Sequence, residues 1–434
     1  MTPITQASGD FSDAKLAPLG RAKQLAAKLL SERGEASGAL VARQLHDALR
    51  TLDATDRHNF QRYLATEFQP DNAALRAAAN RYLTDSTADA AAALARAADP
   101  PRQELLRRMN IAPGGTGALI AMRSEIAARL RGEPDLKLLD ADLQHLFASW
   151  FNRGFLELRR IDWQTPAAVL EKLIAHEAVH EIKGWDDLRR RLAPDRRCFA
   201  FFHPALPGEP LIFVEVALVD GLAASMPPLL SPDTDEAAAR AQALCADTAI
   251  FYSISNCQDG LRGVSFGNFL IKQVVEDLQA EFPQLKRFST LSPAPGFRRW
   301  LTQQLAQETN PDVGLAPELE RDGWWRDPQQ SEPLRAALMR HCATYLTRRP
   351  SPEERIDPVA RFHLGNGARL ERINWLGDAS PRGLQESYGV MVNYLYDHDS
   401  IEDNHEAFAR DGTIVRSPQV DALMQAPFKE EASR

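Results

Sequence analysis

SISNCQDGLRGVSFGNFLIKQVV, residues 253–275, reads as the end of a strand, a glycine-bearing loop and the first turns of an amphipathic helix. The strand ends at Ser255, the loop holds Gly260, Gly263 and Gly267, and the helix begins at about Gly267. Successive backbone N–H groups ahead of a helix, together with the positive end of its dipole, make an anion site suited to a pyrophosphate. Arg262 can add a charge-assisted hydrogen bond. Gly263, Val264, Ser265, Phe266, Gly267 and Asn268 are the candidate positions along that loop.

Four short runs around this stretch, CFAFFH (198–203), LIFVEVAL (211–218), TAIFYSIS (248–255) and RFSTLS (287–292), are aromatic and β-branched and bounded by Pro, Gly or Asn. They predict strands. GNFLIKQVVEDLQAEF (267–282) has helical periodicity, so the order strand, loop, helix, strand predicts an α/β domain from about residue 150. Residues 14 to about 150 differ in texture, being rich in Ala, Leu, Arg, Glu and Gln. AKQLAAKLLSERG, GALVARQLHDALRTLD and DADLQHLFASWF carry apolar residues three and four apart, which predicts amphipathic helices. Gly34 is placed as a helix C-cap. Gly114–Gly117 (GGTG) follows no strand and lacks the lysine of a P-loop, so it reads as an interhelical turn. The expected fold is an all-helical bundle over residues 1–149 followed by a mixed α/β domain over 150–434.

The chain has 434 residues, 44% of them hydrophobic, enough for two cores. With 59 acidic against 51 basic residues the formal charge is −8. That balance argues against a nucleic-acid or anionic-membrane partner. Cys198, Cys245, Cys257 and Cys342 are scattered without a CxxC, as expected of free thiols in a reducing compartment. No apolar stretch approaches a membrane span, and MTPITQASGDFSDAK does not read as a secretory signal, so a cytoplasmic location is expected.

KLIAHEAVHEI (172–182) contains His176-Glu177-x-x-His180, the spacing by which zinc peptidases present two imidazoles. Thr165-Pro166 reads as a helix start, so the stretch is expected to be helical, with the two histidines roughly 40° apart on one face. A catalytic zinc needs a third protein ligand, and the continuation EIKGWDDLRRR supplies none. The pattern therefore reads as the polar flank of an amphipathic helix, and no metal is expected.

The form Arg262-x-x-Ser265-x-Gly267 resembles the pyrophosphate signature of the GNAT-type acetyltransferase fold, with Ser265 in place of its first glycine. RFSTLSPAPGFRRWL (287–301), DPVARFHLGNGARLERINWLGDASPRG (357–383) and GVMVNYLYD (389–397), with CFAFFHPALPGEPLIFVEVAL (198–218), look like malonyl-CoA decarboxylase. The resemblance covers roughly residues 150 to 400. It implies a helical oligomerisation domain, a GNAT-like catalytic domain, a tetramer, although the helical pattern equally allows a dimer, and conversion of malonyl-CoA to acetyl-CoA and carbon dioxide without metal or organic cofactor. The family's catalytic serine falls on Ser292 and its catalytic histidine on His363. Ser253 belongs to the family's site region, and the strand end through Ser255 is the expected backbone donor to the thioester oxygen. At Ser265 the animal members carry a glutamate, so no acid role is assigned there.

Read from the residues alone, Ser292 is equally a turn serine before proline, and His363 the end of a short helix capped by Asp357. Asn393 and Tyr394 are placed as pocket-lining residues, or as a strand residue and a core aromatic. Lys286-Arg287 and Arg298-Arg299 could meet a 3′-phosphate or only solvate a surface. Competing functions are an acyl-CoA-dependent N-acyltransferase, which needs an amine acceptor, a zinc hydrolase, which needs metal at His176 and His180, and a noncatalytic acyl-CoA sensor.

Overall fold

The computed structural model describes residues 17–31, 34–177, 179–231, 235–264, 270–307, 312–348 and 356–425. The chain divides into two compact units. One comprises residues 1–156 with 203–207 and 258–266, and the other 157–202, 208–257 and 267–434. Among the described residues no helix is long and apolar enough to cross a membrane.

The first unit is helical: α1 (Pro18–Ser31), α2 (Glu35–Arg50), α3 (Ala54–Glu67), α4 (Asn72–Thr84), α5 (Ala88–Ala98), α6 (Pro101–Met109), α7 (Gly115–Arg129) and α8 (Lys137–Trp150). Its core is built from one apolar stripe of each main helix, including Leu29, Leu45, Phe60, Leu64, Leu106, Leu119, Leu143 and Phe147. Asp53, Asp71 and Thr87 cap α3, α4 and α5 by accepting N–H groups of the first turn. Gly34 corrects the sequence reading. It is the N-cap of α2 in extended backbone (φ −93°) and does not close α1 in the left-handed region. The glycines at 114–115 do form the interhelical turn. Gly114 sits at φ +75° as the N-cap of α7, and a Cβ on Gly115 would fall 2.3 Å from the Met109 carbonyl.

Within the same unit the loop 258–264 is held against α7 and α8. Buried Arg123 donates to Asp140 at 2.9 Å and to the carbonyls of Gly260 and Arg262 at 2.8 and 2.9 Å. Gln144 donates to the Gly263 carbonyl at 2.9 Å.

The second unit is a mixed eight-stranded sheet: β1 (Glu157–Ile161), β2 (Arg196–Phe202), β3 (Pro210–Val219), β4 (Thr248–Asn256), β5 (Arg287–Thr290), β6 (Ser292–Pro293), β7 (Arg369–Asn374) and β8 (Met391–Tyr396). β1 to β4 pair antiparallel in sequence order, β4 pairs parallel with β5, and β8 lies antiparallel to β5, β6 and β7. The expected single strand over 287–292 is two, because the chain leaves the ladder at Leu291 between β5 and β6. β2 is buried at every position and β3 at all but its last, as in strands covered on both faces. The helix Leu270–Glu281 follows β4, as the periodicity predicts.

On one face α9 (Ala167–His176) sets Val169, Leu170 and Leu173 against Cys198, Ala200, Phe213 and Cys257. α9 ends at His176, so the expected helix through His180 is not formed. Glu177 is extended (φ −63°, ψ 108°), and His176 and His180 do not project from adjacent turns of one helix. Thr165 does not cap α9 either, since its hydroxyl accepts the Asp162 N–H and Pro166 holds the N-cap position. Among the described residues no three His, Cys, Asp or Glu side chains converge as a metal site.

A Cβ on Gly260 would lie 2.0 Å from the Ile120 carbonyl oxygen, against backbone that cannot yield. Gly260→Ala should destabilise the helical unit by about 1–3 kcal/mol or more, read as a lower melting temperature and a lower urea midpoint.

Candidate active site

The end of β4 is shaped by a bulge. Across the β3–β4 ladder Glu215 faces Ser253 and Val216 faces Phe251, so Tyr252 is the extra residue. β4 pairs with β5 only from Thr248 to Phe251, and the last bond between them runs from the Leu291 N–H to the Phe251 carbonyl. Beyond it β4 continues along β3 alone to Asn256. The Cys257 N–H donates to Leu211 on the β3 side. By strand alternation the N–H of Ile254 therefore faces the edge that β5 has left.

Ser253 and Ser255 are buried there with a partner that sequence reasoning missed. Ser253 Oγ lies 2.7 and 2.8 Å from the two carboxylate oxygens of Glu177, and Ser255 Oγ 3.0 Å from Oε2. The N–H groups of Val179 and His180 each donate to Glu177 Oε1 at 2.8 Å. Burial pushes the His180 imidazole down to about 4, so it is neutral near pH 7.

Ser292 opens β6, directly after the chain leaves β5. Its Oγ is 3.1 Å from Nε2 of His363. His363 comes from the helix Pro358–Gly365, which Asp357 caps by accepting the N–H groups of Val359 and Ala360. The other ring nitrogen, Nδ1, is 2.7 Å from the Tyr396 hydroxyl, and the imidazole stacks on Tyr394 with centroids 4.8 Å apart. Both members of the pair are buried, Ser292 at 7% exposure and His363 at 4%. Burial drives the His363 pKa down to about 3 and raises the Tyr396 phenol well above its ordinary value. Imidazole and phenol are thus both neutral at physiological pH.

The structure therefore brings Ser292 and His363 together, as the motifs predicted. Tyr396 joins them, and its signal was the strand alternation that puts it on the same face of β8 as Tyr394. Tyr394 is fully buried as the platform beneath the imidazole. Asn393 is fully buried too, and its amide is fully engaged: Oδ1 accepts from Arg372 and Asn374, and Nδ2 donates to the carbonyls of Ala223 and Thr290. An asparagine has no further strong hydrogen bonds to offer a ligand. In the helical unit Arg262 is exposed and pairs with Asp259 at 2.7 Å, Gly263 takes φ +80°, and Val264 is buried. Ser265, Phe266, Gly267 and Asn268 lie outside the described residues. Of the basic pairs, Arg287 is bound to Asp247 and Thr248, and Arg298 lies over the Tyr388 ring.

Residues 154–434 match the family model for the malonyl-CoA decarboxylase C-terminal domain, and residues 68–151 that for its N-terminal domain. The mitochondrial malonyl-CoA decarboxylase of Anser anser anser is 38% identical over 353 residues, covering 74% of this chain and 69% of that protein. The mitochondrial form from Mus musculus is 36% identical over 359 residues, covering 75% and 71%. Among solved structures, malonyl-CoA decarboxylase from Rhodopseudomonas palustris superposes with a TM-score of 0.87 at 47% identity, over 95% of this chain and 100% of that one. The Agrobacterium vitis enzyme gives 0.86 at 48% identity, over 93% and 100%. Two family models in tandem, relatives 36–38% identical over most of both chains and structural likeness over 95% of this one carry one conclusion: this chain belongs to the malonyl-CoA decarboxylase family.

Proposed function

We propose that the protein converts malonyl-CoA to acetyl-CoA and carbon dioxide, with Ser292 and His363 as its catalytic pair. The observation that carries this reading is the buried 3.1 Å contact between Ser292 Oγ and His363 Nε2 in a chain of that family. Breaking the bond to the departing carboxylate leaves its electron pair on the thioester as an enolate, and the methylene carbon then takes a proton. The thioester carbonyl is itself the electron sink, so the reading draws on no metal or organic cofactor. The backbone N–H of Ile254, on the edge where β4 has left β5, is the donor for the enolate oxygen. One such donor is worth about 3 kcal/mol.

The hydrogen bonds at His363 set the direction of the proton. The buried Tyr396 phenol keeps its proton and donates it to Nδ1, so the neutral imidazole carries its hydrogen on Nε2. Nε2–H donates to Ser292 Oγ, and the Ser292 O–H is directed at the malonyl group. After carbon dioxide leaves, Ser292 gives that proton to carbon, Nε2–H steadies the serine oxygen as charge develops on it, and one proton taken up from solvent restores the neutral pair, so that malonyl-CoA and a proton give acetyl-CoA and carbon dioxide. The helical unit is read as the self-association element, supported by α4, which buries none of its residues and leaves Leu83 79% exposed.

Purified protein should release carbon dioxide and acetyl-CoA from malonyl-CoA in the presence of a strong chelator and without an amine acceptor. Ser292→Ala and His363→Ala should each lower kcat by about 10²- to 10⁴-fold. Absence of turnover in the wild type sinks the reading, and a requirement for an amine turns it into an acyltransferase.

Stability should depend on pH through His363. Its folded pKa, about 3, lies below the ordinary 6.5, so between these values the unfolded chain binds more protons at this site. Its contribution is complete above pH 6.5 and is lost as pH falls toward 3. In urea titrations the wild type should lose stability relative to His363→Gln by up to about 1.4 kcal/mol per pH unit below the ordinary value.

Light scattering should find a dimer or tetramer, and Leu83→Glu should shift it to a smaller species.

A further inference from the structure

Glu177 is the second residue of the HEAVH pattern, and the proposed chemistry leaves it without a role. The end of α9 frees its side chain to turn onto the sheet, where it is buried to 9% exposure. Four donors meet its carboxylate: two backbone N–H groups from residues 179 and 180, and the hydroxyls of Ser253 and Ser255. Arg191 fixes the surroundings. It donates to the His180 carbonyl at 3.1 Å and is ion-paired at 2.9 Å with buried Glu215, which stands opposite Ser253 across the β3–β4 ladder. The two serines lie in the part of β4 that has lost β5 as a neighbour.

We infer that Glu177 is a positioning residue: by drawing both serine hydroxyls onto one carboxylate it fixes the flared end of β4, and with it the donor edge at Ile254 that the thioester oxygen needs. This rests on the decarboxylase reading. The physical reason for a carboxylate is that it only accepts. Both serines must donate to it, which locks their rotamers and turns their lone pairs outward. With its proton held in this way, the Ser253 hydroxyl cannot donate to the thioester oxygen, so the backbone has to do so. A neutral amide at 177 would aim an N–H₂ group at one of these donors and break the set. Strand β4 would keep its β3 partner and stay folded, but its far edge would lose its fixed position.

The test is steady-state kinetics on malonyl-CoA with Glu177→Gln, beside wild type and His363→Ala, with urea stability measured on each. A transition-state donor moved out of place should lower kcat by about 10²-fold, while KM shifts by less than about threefold. In a Ser253→Ala/Ser255→Ala background the same amide should cost no more than about twofold further, because the hydroxyls it disturbs are gone. Wild-type kcat in a folded Glu177→Gln protein overturns the proposal and leaves the decarboxylase reading standing. So does a loss carried wholly by KM or by stability. If Glu177→Gln does not fold, Glu177→Asp, which keeps the charge but withdraws it by one methylene, is read by the same two criteria. A wild type that does not turn over malonyl-CoA removes the decarboxylase reading, and this inference falls with it.

Discussion

The hydrogen bond from the Leu291 N–H to the Phe251 carbonyl is the last between β4 and β5, and most of the site follows from what happens after it. A central strand that stops pairing inside a domain leaves polar backbone and side-chain groups that need other partners. On β4 the serine side chains turn to Glu177, and the Ile254 N–H is left facing the gap. On the other side the chain steps out at Leu291 and re-pairs with β8 at Ser292, which turns the serine toward His363. Asn393 holds the junction by donating to the Thr290 carbonyl, so the parting has a fixed geometry on both sides.

The Ser292–His363 pair is neutral by construction. Burial strips the imidazole of its charge, and among the described residues the ring's hydrogen-bond partners are two hydroxyls and no carboxylate. A carboxylate at Nδ1 would favour an imidazolium, whereas a phenol whose own pKa burial raises stabilises the neutral ring. The pair therefore carries no charge near neutral pH. The same burial makes the arrangement costly to acidify.

In the helical unit, buried Arg123 links Asp140 on α8 to two carbonyls of the loop after β4. An arginine that holds two carbonyls two residues apart fixes the turn they belong to, while the Leu261 and Arg262 N–H groups donate back to the Gln258 and Asp259 carbonyls. The loop's conformation is thus set by helices that are remote from it in sequence.

The sequence by itself determined the order of elements and pointed to Ser292 and His363 as the proposed pair. Burial on both faces forces β2, β3 and β4 into continuous aromatic and β-branched runs, so they stand out in any reading. Asp357-Pro358 caps a helix by local chemistry alone. Ser292 and His363 lie in long motifs that a resemblance can locate. β1 and β7, ELRRI and RLERIN, escaped because strands at the margins of the sheet carry charged residues that blur alternation. Only the tertiary structure decided what Glu177 does. Whether α9 continues past His176 is a contest between one more helical turn and a carboxylate satisfied by two serines more than seventy residues away. Helical periodicity sees only the first of these. In the same way Tyr396 reaches Nδ1 of His363 because β8 pairs between β5 and β7, a neighbourhood that no local pattern encodes.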